Sequence, residues 1–589
     1  MIKNIIRSLK LVWKMDRSYL FIEIGFSIVA SALPILATWY SAQFINKIVE
    51  GNFTSITDPD LIYIVVAYLG IPLVISLEQL YRRKKWNAFY IFYGQYVENI
   101  ISEKKADVDI QTYENPKFNN LMEKARRNSM KCLAFIDSIF GSIKEIIRVV
   151  MSIFILASYQ WWIAVILIIA LFPELYLELK YGKRAWGIWD AKASIKRKYY
   201  EAEKHFDNTP ALIEMKVLGT KKYFRNIINQ LTSDFNLEIY KNLSNKTTGK
   251  VFSILISYVA STFVILYFMN DVLAKTLAIG TFTFLLMNMT RMQSSIMDFF
   301  SSIGHLNEEN LFVKDIFKFL DTHKALKNGH ISLPEATPDI EFKDVNFKYP
   351  DTEKYLFKNL NFKISAGEKI AIVGVNGAGK TTLTKLLMRF YDPSEGSVFV
   401  GGTELKEIDQ DTYFSKMGYL SQDYDKYKIL VKDAIAVGDT SKPIDMERVV
   451  KAAKRAGAHA FIEEWTDGYN SYLGKEFEDG VEPSVGQWQK LALARLFYRD
   501  PQIWILDEPT ASIDAVAEME IFEELENLPN DKTVILISHR FNTVKNADRI
   551  MVIEHGEIIE FDTHDRLMEK KKGVYKELFT AQKDSFETV

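Results

Sequence analysis

Residues 371–382 read AIVGVNGAGKTT, and this stretch decides the fold of the second half of the chain. It is a short apolar run, then a glycine-rich turn ending in Gly379-Lys380-Thr381, then an apolar helical pattern from Leu383. A strand, a glycine loop and a helix in this order form a P-loop, whose backbone N–H groups hold phosphate oxygens beside the positive N-terminus of the helix. We expect Lys380 to reach the β- and γ-phosphates of a nucleotide and Thr381 to bind Mg²⁺. A glycine-rich turn without a ligand is the alternative, and the flanking strand and helix argue against it. The predicted nucleotide-binding residues here are Gly374, Asn376, Gly377, Ala378, Gly379, Lys380, Thr381 and Thr382.

A second apolar run, IWILDE at residues 503–508, ends in two carboxylates. A continuous apolar run is typical of a buried parallel strand, and α/β sheets place ligand chemistry at the carboxyl ends of such strands. We predict that Asp507 holds Mg²⁺ and that Glu508 polarises the attacking water as a general base. Two carboxylates at the end of a strand are more often a helix cap or a solvated turn, but a P-loop needs such a partner strand.

Two more strand-like runs end in polar residues. Residues 533–537 read TVILI and precede Ser538 and His539, while GYLS at residues 418–421 precedes Gln422. A lone histidine at a strand end is usually structural, but in this setting His539 is predicted to contact the γ-phosphate. An isolated glutamine is uninformative by itself.

The composition of the 589-residue chain limits the other classes of protein. A net charge of −2 gives no support for a nucleic-acid partner, and 48% hydrophobic residues exclude a disordered chain. Its one cysteine, Cys132, excludes a disulfide framework within one chain. The mean hydropathy of −0.05 is typical of a soluble protein, yet it averages a first half with long apolar runs and a second half without them.

Six apolar stretches of about 20 residues, the length that spans a bilayer, occur in the first half. They cover residues 19–42, 61–80, 140–158, 162–179, 251–269 and 277–303. Five basic residues precede the first stretch: Lys3, Arg7, Lys10, Lys14 and Arg17. The short loops after the first, third and fifth stretches are poor in Lys and Arg, which places both chain termini in the cytoplasm. The sequence therefore predicts a six-helix domain in the cytoplasmic membrane.

The second and third stretches are about 60 residues apart, and the fourth and fifth about 70. Both connections are charged, compatible with helix, and broken near the middle at Pro116 and Pro210. We interpret them as helical hairpins that extend into the cytoplasm; two ordinary loops are the alternative. The predicted domains are residues 1–320 in the membrane, a linker at 321–338, and residues 339–589.

The order of these motifs resembles that of ATP-binding cassette (ABC) proteins, and the whole chain is similar to a half-size ABC exporter. The motifs that carry the resemblance are Tyr349, the P-loop, Gln422, SVGQ at residues 484–487, Asp507-Glu508, Asp514 and His539. The resemblance implies an all-α six-helix transmembrane domain followed by an α/β P-loop ATPase domain. It implies ATP and Mg²⁺ as cofactors, and a dimer that binds ATP between the P-loop face of one chain and the signature face of the other.

The same resemblance assigns roles to single residues. Tyr349 would stack on adenine, and Gln422 would sense Mg²⁺ and the attacking water. Ser484, Gly486 and Gln487 would contact the nucleotide of the second chain. Asp514 would lie in a loop that contacts the opposite nucleotide domain, and the breaks near Pro116 and Pro210 would mark coupling helices.

One departure concerns the signature, which reads PSVGQ where the family usually has LSGGQ. Val485 replaces a glycine, and it is strained if its φ is positive but not if it lies at an ordinary helix start. Because Lys380, Asp507, Glu508 and His539 are all retained, we expect active hydrolysis and a homodimer.

Stretches such as YENPKF, which begins at residue 113, resemble Gram-positive lantibiotic and peptide exporters, here without a leader peptidase domain. The expected function is ATP-driven export of a peptide or small amphipathic compound, in contact with membrane lipid. A lipid or multidrug exporter, and a non-transport ATP-gated channel or sensor subunit, remain alternatives. Glu174 and Arg291 are the candidates for the substrate pathway because they fall deep within predicted spans; pairing between helices is the alternative for both.

Overall fold

A computed structural model describes residues 1–51, 58–191, 193–509, 515–538 and 544–587. The chain forms two compact units. The first comprises Met1–Val108 and Glu114–His323, and the second comprises Asp109–Tyr113 and Lys324–Val589. The boundary between them thus falls within the predicted linker, and a short piece of the first long connection belongs to the second unit.

The described part of the first unit is helical. Its helices are α1 (Ile2–Met15), α2 (Arg17–Val49), α3 (Pro59–Asp107), α5 (Pro116–Arg127), α6 (Lys131–Tyr159), α7 (Trp161–Ala191), α8 (Ala193–Asp207), α9 (Thr209–Val217), α10 (Lys221–Leu273) and α11 (Ile279–Leu320). The short α4 (Ile110–Tyr113) lies in the second unit.

Helix starts follow local sequence signals. Asp16 begins α2 by accepting hydrogen bonds from the N–H groups of Ser18 and Tyr19. Pro116 and Pro210, where the sequence predicts breaks, lie in the first turns of α5 and α9. The long connections are therefore helical, with short helices near their middles.

Four helices of the described chain are long and apolar enough to cross a membrane: α2, α3, α10 and the Trp161–Ala185 part of α7. The predicted third and sixth spans lie on α6 and α11. α6 carries Lys144, Glu145 and Arg148 within its predicted span, which lowers its apolar character. The number of crossings therefore stays a prediction.

The second unit is an α/β domain built on two sheets. The antiparallel sheet has the order β2-β1-β4-β5, and the other has the order β10-β9-β3-β8-β7-β6. Their strands are β1 (Ile340–Phe347), β2 (Phe357–Ile364), β3 (Lys369–Val373), β4 (Glu395–Val400), β5 (Thr403–Glu404), β6 (Met417–Leu420), β7 (Ile503–Asp507), β8 (Thr533–Ile537), β9 (Arg549–Glu554) and β10 (Glu557–Asp562). The helices are α12 (Lys380–Leu387), α13 (Gln410–Ser415), α14 (Val431–Ala436), α15 (Met446–Arg455), α16 (His459–Glu463), α17 (Val485–Arg499), α18 (Ala515–Glu526), α19 (His564–Glu569) and α20 (Val574–Glu587).

The strands β9, β3, β8, β7 and β6 run parallel to one another. Every residue of β7 and β8 is buried, as the continuous apolar runs predict. Because parallel strands end at the same edge of a sheet, the residues that follow β3, β6 and β7 come together there. This edge holds the candidate site.

Candidate nucleotide site

The loop between β3 and α12 has a backbone that excludes side chains at two glycines. A Cβ on Gly374 would collide with the carbonyl oxygen of Ile553, and one on Gly379 would lie 2.8 Å from the ring of Phe357. Gly374, Gly377 and Gly379 all have positive φ, between 82° and 157°. The glycines of the motif are therefore required by the path of the chain, which leaves backbone N–H groups free of Cβ shielding.

Lys380 lies at the start of α12, with only 8% of its surface exposed. Its Nζ donates hydrogen bonds to the carbonyl oxygens of Gly374, at 2.7 Å, and Val375, at 3.2 Å. Burial lowers the pKa of Lys380, against the opposing effect of the Glu508 and Asp507 charges. The ammonium is thus held by its own loop and faces the same space as the two carboxylates.

The first turn of α12 is tied to Tyr349. The hydroxyls of Tyr349 and Thr382 are 2.8 Å apart, and the tyrosine ring packs edge-on against Phe347 and Tyr391. Thr381, in contrast, is exposed at the mouth of the loop. Tyr349 thus lies beside the P-loop, where the family resemblance predicts an adenine contact.

Asp507 and Glu508 end β7 beside the P-loop. Burial, and then the charge of Glu508, raise the pKa of Asp507 to about 6. Glu508 has a φ of 49°, and its N–H donates to the carbonyl oxygen of Ile537 on the neighbouring strand. The amide Nε2 of Gln422 donates to Oε2 of Glu508 at 3.1 Å. A glutamine from the end of β6 and a carboxylate from the end of β7 therefore meet, as strand order dictates.

These groups surround one cavity of about 720 Å³. It is lined by Leu356, Asn376, Gly377, Gly379, Lys380, Thr381, Thr382, Gln422, Asp507, Glu508 and Ile537. Six of the eight predicted P-loop residues line this cavity, whereas Gly374 and Ala378 belong to the same loop but are not among its lining residues. His539 and Asp514 lie outside the described residues.

Ser484, Gly486 and Gln487 are not among the residues that line this cavity. They form the start of α17, where Ser484 Oγ accepts from Gln487 N–H at 3.2 Å and Gln487 Oε1 accepts from Ser484 N–H at 2.8 Å. This reciprocal pair is a capping box, which satisfies two backbone donors at a helix start. Val485 is the first residue of the helix, 55% exposed and without positive φ. The glycine that the family usually has is not required by the backbone here.

Two residues that sequence reasoning missed connect these parts. Gln489, buried in α17, donates from Nε2 to the backbone oxygen of Glu508 at 3.3 Å. The Tyr424 hydroxyl donates to the carbonyl oxygen of Val485 at 3.0 Å. Gln489 could have been noticed as a polar residue among the apolar residues of α17. No local sequence pattern marks Tyr424.

In the helical unit, the two pathway candidates have different surroundings. Glu174 is 5% exposed, and its Oε1 lies 3.3 Å from Nζ of Lys250, which also lies 2.7 Å from Glu178. This places Glu174 in an ion-pair network between α7 and α10. Arg291 is half-buried and makes a long hydrogen bond of 3.5 Å to Thr38 Oγ1 on α2.

The fold and the site define a P-loop ATPase domain joined to a helical membrane domain. The ABC transporter family matches residues 357–511. The subtilin transport ATP-binding protein SpaT of Bacillus subtilis is 28% identical over 584 residues, which cover 98% of this chain and 94% of that protein. The leukotoxin translocation ATP-binding protein LktB of Mannheimia haemolytica is 42% identical over 254 residues, covering 43% of this chain and 35% of that protein.

Among solved structures, a bacterial Atm1-family ABC exporter with ATP bound matches with a TM-score of 0.82. The match covers 96% of this chain and 98% of that one, and because the two sequences are only 20% identical it shows the fold alone. The family match and the nearly full-length relative support an ABC half-exporter, a multi-pass membrane protein that couples ATP hydrolysis to export. The predicted fold class and general function are confirmed. Half-exporters of this family function as dimers.

Proposed function

We propose that this chain forms a homodimer that hydrolyses Mg²⁺-ATP to export a peptide across the cytoplasmic membrane, with both termini in the cytoplasm. The observation that carries the proposal is the similarity to SpaT along nearly the whole of both chains. The printed roles of the relatives, subtilin transport and leukotoxin translocation, together with the resemblance to lantibiotic-type exporters, favour a peptide over a lipid or drug.

In the proposed hydrolysis, Glu508 accepts a proton from the attacking water. Gln422 orients the Glu508 carboxylate through the hydrogen bond that it donates to it, and thereby also orients the water. Lys380 leaves its loop carbonyls to contact the phosphates. His539 is proposed as a further γ-phosphate contact, and Tyr349 as the adenine contact. Asp507, Thr381 and Gln422 supply a carboxylate, a hydroxyl and an amide oxygen to one cavity, a donor set that suits Mg²⁺. Bound there, the ion would neutralise phosphate charge.

The proposed dimer follows from the positions of the predicted nucleotide-binding residues, which do not all line one cavity of the chain. Ser484, Gly486 and Gln487 lie outside the cavity that contains Lys380, so they are available to the nucleotide of a second chain. The capping box holds Ser484 at a helix N-terminus, where backbone N–H groups favour an anion. Two identical chains then make two composite sites.

A mixed dimer tests this arrangement. Lys380→Ala alone and Ser484→Arg alone each inactivate both sites of a homodimer. A dimer with one substitution in each chain keeps one intact site, so differently tagged chains purified through both tags should recover up to about half of the wild-type ATPase if the two sites act independently. A mixed dimer that forms but stays inactive contradicts independent composite sites. Crosslinking of Gly377→Cys in one chain to Ser484→Cys in the other, with Cys132 replaced, then separates wrong geometry from obligatory joint firing.

The proposed pathway includes Arg291, whose cationic group lies in a predicted span without a carboxylate ion pair among the described residues. Glu174 stays a prediction, and its ion pair with Lys250 favours the alternative of pairing between helices. Arg291→Gln should reduce peptide-stimulated ATPase with little change in basal ATPase, whereas Glu174→Gln should lower thermal stability first. An equal loss of basal and peptide-stimulated ATPase in Arg291→Gln would show that Arg291 stabilises the fold and does not act in the transport pathway.

Cargo class is tested in proteoliposomes with the ATPase domains outside. ATP is added with a fluorescent probe: a leader-bearing amphipathic peptide, a short-chain phospholipid, or a hydrophobic cationic dye. We expect ATP-dependent accumulation of the peptide and stimulation of ATPase by it. Accumulation of the lipid or dye instead indicates the alternative cargoes, and ATPase without accumulation of any probe supports a channel or sensor.

A further inference from the structure

The N-terminal helix α1 presents one exposed face that is apolar along one edge and basic along the other. Its exposed apolar side chains are Ile2, Ile6 and Trp13, and its exposed basic side chains are Lys3, Lys10 and Lys14. At about 100° per residue, the three apolar residues fall within an arc of about 40° and the three lysines continue it to about 120°. The helix contains no Asp or Glu. An apolar edge beside a basic edge is typical of a helix that lies in a membrane interface.

The opposite side of α1 is fixed to its own unit. Val12 is fully buried, and Asn4 Nδ2 donates to Asn310 Oδ1 at 2.9 Å. Arg7 donates two hydrogen bonds, of 2.6 and 2.7 Å, to the carboxylate of Asp321 at the end of α11. The exposed face is therefore presented in a defined orientation. Arg7, which follows Lys14 at the basic edge of this face, is the basic residue of α1 that is paired.

Chain continuity brings this face to the bilayer surface. α2, a spanning candidate, begins at Arg17, one residue after the extended Asp16 that ends α1. The Arg17 guanidinium lies 5.4 Å from the ring of Trp13, which also packs edge-on against Phe21 on the membrane helix. The aromatic ring thus joins the exposed face of α1 to the start of α2, and tryptophans are enriched where spans enter the membrane.

We propose that the exposed face of α1 binds the headgroups of anionic phospholipids. The apolar edge matches the acyl boundary, and the lysines match phosphate-level negative charge. A second copy of the same face would bring like charges together, which disfavours a symmetric protein contact. The function goes beyond ATP-driven export, because it assigns a lipid-binding site to a segment outside the nucleotide site and the pathway.

The test uses the full chain with Cys132→Ser and Ile6→Cys, labelled with a bimane probe and reconstituted in phosphatidylcholine vesicles. Part of the lipid is replaced by brominated phosphatidylglycerol or, at the same mole fraction, brominated phosphatidylcholine. We expect the anionic lipid to have an apparent affinity for the labelled site at least about threefold higher. The preference should shrink between 0.1 and 1 M salt, where the Debye length falls from about 10 to about 3 Å.

Lys3→Gln, Lys10→Gln and Lys14→Gln together should abolish the preference. The matched control, Lys451→Gln, Lys454→Gln and Lys571→Gln, removes three exposed lysines from the ATPase domain and should leave it unchanged. Equal quenching by both lipids in the chain with native lysines overturns the proposal. Absence of quenching by either lipid also overturns it, because the face is then covered by protein. The salt series needs no substituted lysine and so does not depend on how the triple variant folds.

Discussion

Replacing Val485 by glycine restores the glycine that the family usually has at this position of the signature, and the structure predicts that ATPase activity changes little. Val485 is the first residue of α17 and is largely exposed. Glycine is about 0.3 kcal/mol worse than valine in a helix, which corresponds to less than about twofold in rate even if all of it appears in the barrier. Had Val485 been strained at positive φ, relief on the order of 1–3 kcal/mol would raise activity by about fivefold to more than a hundredfold.

The assay is steady-state ATPase of purified dimers in lipid nanodiscs, with nucleotide affinity measured separately. Ser484→Ala is the matched control, since it removes the helix cap next to Val485 at a cost of about 1 kcal/mol and should reduce activity clearly more. A rise above tenfold in Val485→Gly would refute the reasoning and show that Val485 restrains the native site.

Three further substitutions test the ATPase domain. Gly374→Ala should abolish nucleotide binding or folding, since its Cβ meets the Ile553 carbonyl; normal ATP affinity by equilibrium binding would contradict this. Asp507→Asn should raise the free energy of unfolding of the nucleotide-free chain at pH 7.5 but not at pH 4. The folded pKa of Asp507 is raised from 3.8 to about 6, so the folded state loses stability as pH rises through that window, by on the order of 3 kcal/mol above it. Thermal unfolding at both pH values measures the difference, and an equal stabilisation at pH 4 would contradict a raised pKa of Asp507. Gln489→Leu should lower turnover several-fold with unchanged ATP affinity, because the backbone oxygen of Glu508 loses a donor; an unchanged turnover number would remove Gln489 from the site.

Much of the ATPase domain is predictable because its strands are continuous apolar runs. The apolar runs within residues 503–508 and at 533–537 coincide with β7 and β8. The P-loop helix begins at Lys380 rather than at Leu383, because Gly379, with φ of 111°, ends the loop and the next residues already take helical dihedrals. Gln422 lies near Glu508 because the two residues follow neighbouring parallel strands, β6 and β7, and this strand order is seen only in the sheet.

Other features depend on long-range packing that no local pattern specifies. The partner of Glu174, Lys250, is 76 positions away on another long helix, so only the pairing of α7 with α10 reveals it. The geometry of Val485 depends on whether Ser484 caps a helix, which the sequence left open. The contact of Gln489 with Glu508 requires that α17 pack beside the end of β7.

The most direct test of the account is Glu508→Gln in proteoliposomes, with ATP binding, ATPase and peptide accumulation measured on the same preparation. The account predicts retained ATP binding, hydrolysis reduced by at least about a hundredfold, loss of peptide accumulation, and nucleotide-bound dimers that remain associated. The substitution leaves Asp507, a proposed Mg²⁺ ligand, unchanged. Turnover and peptide accumulation at the wild-type rate in this variant would contradict the assignment of Glu508 and the coupling of its chemistry to export.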